Sequence, residues 1–293
     1  MSIPRLAAAS VVYLRAEIPA KHPSASVLGE ERMGAGVAVT PERVLTAHYL
    51  VLGASRVDVI GLDGRTRSVA RFALDHESGL ALLTLDGRDL DPAPLSREDA
   101  RPGQPVFLVT CTGDRERRGG SGHVTSVGPF EAFWEYMLDR AIMTTIVNPG
   151  LAGGPLLDRQ ASVVGIVSLG LTAVGRYSLA IPVGLFAARR ALLESDQPMP
   201  AGERRAWIGF YPQGNEHGVG ITGVVPGGPA EQAGLQKDDW ILTVDGQPVS
   251  NLRELYETLW RKRPGEPVGM QILREEVIHV FEIVAGDRYE FYK

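Results

Sequence analysis

The sequence predicts a mainly β protein built as two unequal units, and three observations carry that expectation. From residue 10 to about 185 the chain is a series of short apolar runs broken by Gly, Pro, Asp and Asn, the pattern of a many-stranded barrel or sandwich. "DQPMPAGE", Asp196 to Glu203, holds two prolines and a glycine and reads as a linker. After it, strand signals alternate with two helical ones. A length of 293 residues is about twice an ordinary domain and fits two.

The elements can be justified in order. "ASVVYLRAE", residues 9–17, reads as an opening strand. Leu6 to Leu14 also has the length of a signal-peptide core, but only one Arg precedes it, Arg15 follows it, and no small-x-small cleavage site directly follows it, so the strand is preferred. Further strands are expected at "GAGVAVT", "RVLTA", "SRVDVIGLDG", "LALLTLD", "PVFLVTC", "SGHVTSVG", "AIMTTIV" and "SVVGIVSLG". "GLFAARRALLESD", Gly184 to Asp196, has apolar residues at helical spacing and closes the first unit as a helix. In the second unit "AWIGFYP" and "VGITGVVPG" read as strands, "GPAEQAGL" as a short helix and "DWILTVDGQPV" as a hairpin around Asp245-Gly246. "SNLRELYETLWRK" is a helix opened by Ser250 or Asn251, amphipathic through Leu252, Leu255 and Leu259, and "PVGMQILR" and "VIHVFEIV" close the chain as strands.

Composition excludes several function classes. A net charge of −5 gives no basic face for nucleic acid, and Arg115, Arg117 and Arg118 are expected in a solvated loop. Cys111 is the only cysteine, which rules out an internal disulfide and leaves the compartment open. No apolar run approaches the roughly 18 residues of a membrane span, and no motif implies a cofactor or a metal.

The stretches "MGAGVAVTPERVLTAHYLVLGASRVDV", "DHESGLALLTLD" and "NPGLAGGPLLDRQASVVGIVSLG" resemble, in this order, the His, Asp and Ser segments of a trypsin-like serine protease of the high-temperature-requirement (HtrA) family. "WIGF" followed by "VPGGPAEQAGLQKDDWILTVDGQPV" resembles the PDZ domain of that family. The resemblance implies a chymotrypsin-like double β-barrel over 1–195, a linker over 196–204 and a PDZ domain over 205–293.

That chemistry needs a hydroxyl nucleophile, an imidazole to take its proton and a carboxylate to orient the imidazole. Matched to the family, Ala152 stands where the serine would be and Gly79 where the carboxylate would be. An ungapped match puts Tyr49 at the histidine position, with His48 one residue before it; His48 would reach that position only through a gap. Asp75, His76 and Glu77 lie in a loop signal and are expected in solvent. Gly150, Gly153 and Gly154 keep the tight turn that, in the family, aims the N–H groups of Gly150 and Ala152 at an oxyanion. "GIVSLG" resembles the strand along which substrate is laid, with Val167 to Leu169 as its wall. Both segments can persist as a peptide cleft or because the barrel needs them to fold.

In the PDZ family the loop corresponding to Trp207, Ile208, Gly209 and Phe210 turns its N–H groups toward a peptide C-terminal carboxylate. Family register places Tyr256 toward that groove, with Leu259 or Trp260 one turn on and Leu255 toward the core; Tyr256 and Trp260 are large enough to fill the groove instead of lining it. The reading that follows is a pseudoprotease that binds protein or peptide C-termini as a scaffold, adaptor or regulator. The alternatives are an active protease in mutated form and an inactive subunit that self-associates or assembles with an active relative. A cytoplasmic location follows if the chain has no leader, a periplasmic one if it has been trimmed.

Overall fold

The computed structural model describes residues 5–171 and 177–293, which form two compact units. One comprises residues up to 129 together with 138–196, the other 130–137 together with 197–293. The second unit therefore borrows eight residues from the middle of the region that the sequence assigns to the first.

In the first unit, α1 (Arg5–Ala9) precedes β1 (Val11–Glu17), and α2 (Ala25–Leu28) separates β1 from β2 (Glu31–Thr40). β3 (Arg43–Ala47), β4 (Arg56–Ile60), β5 (Thr66–Asp75) and β6 (Leu80–Leu85) complete a closed barrel in the order β1-β2-β3-β6-β5-β4. The opening strand begins two residues later than "ASVVYLRAE" suggests, because Ser10 Oγ donates to Ala7 O (3.2 Å) and ends the helical turn first. Val12, Leu14, Val44, Val59, Ala81 and Leu83 fill the interior of this barrel from alternate positions of their strands.

The second barrel is built from β7 (Pro105–Cys111), β8 (Arg117–Ala132), β9 (Tyr136–Thr144), β10 (Pro155–Leu157), β11 (Val163–Gly170) and β12 (Ser178–Pro182), ordered β10-β11-β12-β9-β8-β7. Arg117 corrects one expectation: it opens β8, and its guanidinium donates to Val11 O (2.9 Å) and Ile60 O (3.1 Å) while Arg115 and Arg118 stay exposed. The helix after β12 is α3 (Val183–Glu194), which buries Val183, Phe186 and Leu193.

In the second unit, β13 (Ala206–Trp207) and β14 (Phe210–Asn215) replace the single strand "AWIGFYP", because Gly209 adopts φ 79° and breaks the extended run. β15 (Gly218–Val224), α4 (Pro229–Ala233), β16 (Trp240–Val244), β17 (Gln247–Pro248), α5 (Leu252–Leu259), β18 (Pro267–Arg274) and β19 (Val277–Val284) follow. The main sheet runs β14-β15-β16-β18-β19, and β17 pairs with β16 across Asp245 (φ 47°) and Gly246 (φ 74°), the two positive angles of a type I′ turn. β20 (Gly286–Asp287) pairs with β13, and α6 (Arg288–Phe291) ends the chain; neither is signalled by hydrophobic pattern.

Asn251 caps α5 by accepting from Glu254 N–H (2.9 Å), while the Glu254 carboxylate accepts from the N–H of Ser250, the residue before the cap (2.8 Å). Leu255, fully buried, anchors the helix to the core formed by Ile208, Phe210, Val219, Ile241 and Val268. Leu255→Ala is expected to destabilise the protein by about 2–5 kcal/mol and Asn251→Ala by about 1 kcal/mol. Urea unfolding of the full chain, followed by Trp fluorescence, measures both; equal losses for the two would contradict the division of labour between cap and core.

Candidate functional site

Two loops carry the residues singled out in the sequence. The first is Asn148 to Asp158, which follows β9 and includes β10. Gly153, at φ 93°, has no room for a side chain: an added Cβ would lie 2.0 Å from Ala35 O and 2.4 Å from Thr46 Oγ1. The loop is pinned through main-chain bonds, with Ala35 N–H donating to Ala152 O (2.7 Å) and Gly153 N–H to Val167 O (2.7 Å). Thr46 Oγ1 donates to Ala35 O (2.7 Å), so β2, β3, β11 and this loop form one network. The Ala152 side chain contributes only a methyl group to it. Gly150 N–H donates to Asn148 Oδ1 (3.1 Å), and Leu151 N–H to Cys111 O (2.9 Å), so the turn spends the Gly150 amide on itself.

His48 opens a single 3-10 turn, His48–Leu50. Its N–H donates to Gly79 O (2.9 Å), its Nδ1 lies 3.1 Å from the same carbonyl, and its ring meets His76 edge-on at 5.4 Å. Tyr49, the next residue, points elsewhere: its hydroxyl donates to Ser168 O (2.8 Å) on β11. Burial pushes the Tyr49 phenol well above the ordinary tyrosine range. The strand proposed as a cleft wall, Val167 to Leu169, therefore has its Ser168 carbonyl occupied by the protein's own side chain.

Asp75 and His76 are not in solvent, contrary to the loop signal. Asp75 ends β5 with no exposed surface, and His76 is buried beside it. The Asp75 carboxylate accepts from Ser78 Oγ (2.6 Å) and pairs with Arg189 of α3 (2.5 Å), which is why a charge can sit there. Gly79 itself, at φ 76°, donates its N–H to Asp75 O (2.9 Å) and offers no side chain.

The second loop is Trp207 to Phe210. The N–H groups of Ile208, Gly209 and Phe210 converge, and a carboxylate sits on them: that of Glu135, whose Oε1 accepts from Ile208 (2.8 Å) and whose Oε2 accepts from Gly209 (2.7 Å) and Phe210 (3.3 Å). Burial pushes the Glu135 carboxyl above the usual range, while Arg288 and the three amides pull it down. The Tyr256 hydroxyl donates to Ala132 O and accepts from Glu135 N–H (3.1 Å). Tyr256 also stacks on Trp260 (4.9 Å), over which Arg205 lies at 4.3 Å.

The structure thus brings Ile208, Gly209, Phe210 and Tyr256 together around one segment. Trp207 packs on Phe291 (4.5 Å), and Leu259, like Tyr256, belongs to the core cluster of the second unit. Sequence reasoning missed Glu135, Ala132 and Arg288. No spacing signal reaches them, since Glu135 lies 73 positions from Ile208 in the chain.

Comparisons with known proteins follow this division. Residues 34–166 match the family of trypsin-like peptidase domains and residues 206–284 the family of PDZ domains. A probable periplasmic DegP-like serine endoprotease of Halomonas elongata is 28% identical over 288 residues, covering 90% of this chain and 59% of its own length. Its counterpart in Hahella chejuensis is 28% identical over 263 residues, covering 82% and 54%. The chain therefore spans little more than half the length of these relatives. Among solved structures, a serine endoprotease from Yersinia pestis superposes with a TM-score of 0.58 at 22% identity, covering 98% of this chain and 99% of the other. The HtrA-type protease AlgW with a decapeptide gives 0.57 at 24%, covering 96% of each. At these identities the solved structures establish likeness of fold.

The buried phenol gives a pH prediction. A tyrosine whose folded pKa is raised contributes stability that is complete below its unfolded pKa of about 10 and is lost as pH rises beyond it. Stability is expected to fall above about pH 10, and Tyr49→Phe should flatten that fall while lowering neutral-pH stability by about 0.5–1.5 kcal/mol. Urea midpoints at pH 7 and pH 11 compare the two; identical slopes would show that Tyr49 ionises freely.

Proposed function

We propose that this chain, a trypsin-like peptidase domain followed by a PDZ domain in the HtrA/DegP arrangement, is a non-proteolytic member of that group that binds peptides or protein C-termini through the PDZ domain. The observation that carries the reading is the side chain at 152, a methyl group in the loop where the family places its nucleophile. Two further features support it. Tyr49, not an imidazole, is the side chain bonded to Ser168 O, and Gly79 meets His48 through a carbonyl that can neither accept a proton permanently nor balance an imidazolium. Loss of a complete triad lowers turnover by roughly a million-fold, leaving only what binding and an oxyanion site supply. The Gly150 amide, bonded to Asn148, reduces even that remainder.

The binding half rests on three amides that hold a carboxylate, a donor set that serves a peptide C-terminus equally well. We place the protein in the periplasm, from the names of its relatives. Its role is that of a scaffold, adaptor or regulator.

The test is chemical. The purified protein is expected to leave casein intact and to resist a fluorophosphonate probe, because no oxygen at 152 can be phosphonylated. Ala152→Ser alone should restore no measurable proteolysis, since a serine without a base is a weak nucleophile. Robust cleavage by that single variant would overturn the assignment of Tyr49 and Gly79.

A further inference from the structure

The cradle at Ile208 to Phe210 is already filled by a side chain of the same chain. We infer that Glu135 is an internal ligand of the PDZ domain, so that a C-terminal peptide binds only by displacing the 130–137 segment. This rests on the reading above, that the cradle takes C-terminal carboxylates.

Four observations carry it. The Glu135 carboxylate takes all three cradle amides, Ile208 and Gly209 at 2.8 and 2.7 Å and Phe210 at 3.3 Å, as a terminal carboxylate would. Glu135 has 4% of its surface exposed, so no ligand shares the site with it. Its backbone lies at φ 53°, a left-handed angle that favours Gly or Asn; a glutamate there is explained by its side chain and not by the turn.

The segment is also held as a bound peptide would be. Tyr256 grips Ala132 O and Glu135 N–H, and Arg288 donates to Trp134 O (2.6 Å) and Glu135 O (3.1 Å). Arg253 pairs with Glu131 (2.8 Å), and Met137 packs against the core of the unit. These grips come from α5 and α6, outside the cradle loop, so the segment is recognised along its length and not only at its carboxylate.

Such a ligand competes at the effective concentration of a tethered group, millimolar or above for a short connection. Peptides that bind the vacant cradle well should therefore bind the native protein weakly. Glu135→Gln removes the charge while keeping the side chain's shape. A charge-assisted set of bonds is worth about 1.5–3 kcal/mol, so its loss should raise peptide affinity roughly ten- to a hundredfold. Glu135→Gly suits the left-handed angle and deletes the carboxylate altogether, which keeps the test open if the glutamine variant folds poorly.

The experiment uses the full chain and two readouts. Fluorescein-labelled random decapeptides with a free C-terminal Val, Leu or Phe are titrated by fluorescence polarisation, and hydrogen exchange of the Ile208, Gly209 and Phe210 amides is followed without peptide. The expected result is at least tenfold tighter binding and faster exchange in both variants than in the native protein. Equal affinity in native and variant proteins would overturn the internal-ligand assignment while leaving the peptide reading intact. Exchange that is unchanged in both variants would overturn it as well. If exchange accelerates but no peptide binds any of the three proteins, self-ligation stands, and both the peptide reading and the competition drawn from it fall.

Discussion

Main-chain N–H and C=O groups removed from water must find partners, and a surface built to bind another chain's backbone is one where the fold leaves some of them open. In this protein those groups are answered from within. Ser168 O, on the strand that resembles a substrate wall, accepts from Tyr49. Gly150 N–H is turned to Asn148, and the three amides of Ile208 to Phe210 meet Glu135. The same rule that makes a peptide site possible makes it unstable when empty, and each of these side chains relieves that instability. An unpaired buried group costs about 1–3 kcal/mol, so each closure favours the self-satisfied state by an amount comparable to a weak ligand's binding energy.

The frame of the first loop persists for a reason independent of chemistry. Gly153 cannot be replaced without driving a Cβ into Ala35 O, and its N–H is one of the bonds that tie the loop to β11. Ala35, Thr46, Ala152 and Val167 share that network, so the loop holds strands from both barrels in place. A protein that no longer needed a nucleophile would still need the turn. The glycine pattern around position 152 is thus a statement about packing, and a family likeness built on it says little about activity. The side chain at 152, which packing leaves as a small group and chemistry would require to be a hydroxyl, is where the two demands separate.

What could be read from the sequence, and what could not, divides along the same line. Most strands of the first unit, α3, α5 and the tight turn at Asp245-Gly246 follow from local pattern, because period, caps and turn residues are local causes, whereas the double barrel followed only from the family resemblance. The PDZ family register pointed to Tyr256 and the Trp207 to Phe210 loop as one groove, and Ile208, Gly209, Phe210 and Tyr256 all bond to Glu135. Burial of Asp75 was not: three charged or polar residues in a row read as solvated until Arg189, more than a hundred positions on, supplies the partner that makes burial tolerable. Arg117 misled for the same reason, its acceptors being carbonyls on β1 and β4.

Glu135 is the clearest case of a site residue hidden from sequence. In the chain it is one more charge at a hairpin tip, between aromatic neighbours Trp134 and Tyr136. Its role comes from a tertiary choice, the grouping of residues 130–137 with the second unit. One local clue existed in principle: the tip carries no glycine or asparagine although the backbone there turns left-handed. A tight turn built from residues poorly suited to it implies that something other than the turn selects them. Here the selecting force is the set of three amides, whose demand for a negative partner outweighs the conformational strain of placing a glutamate where glycine would rest more easily.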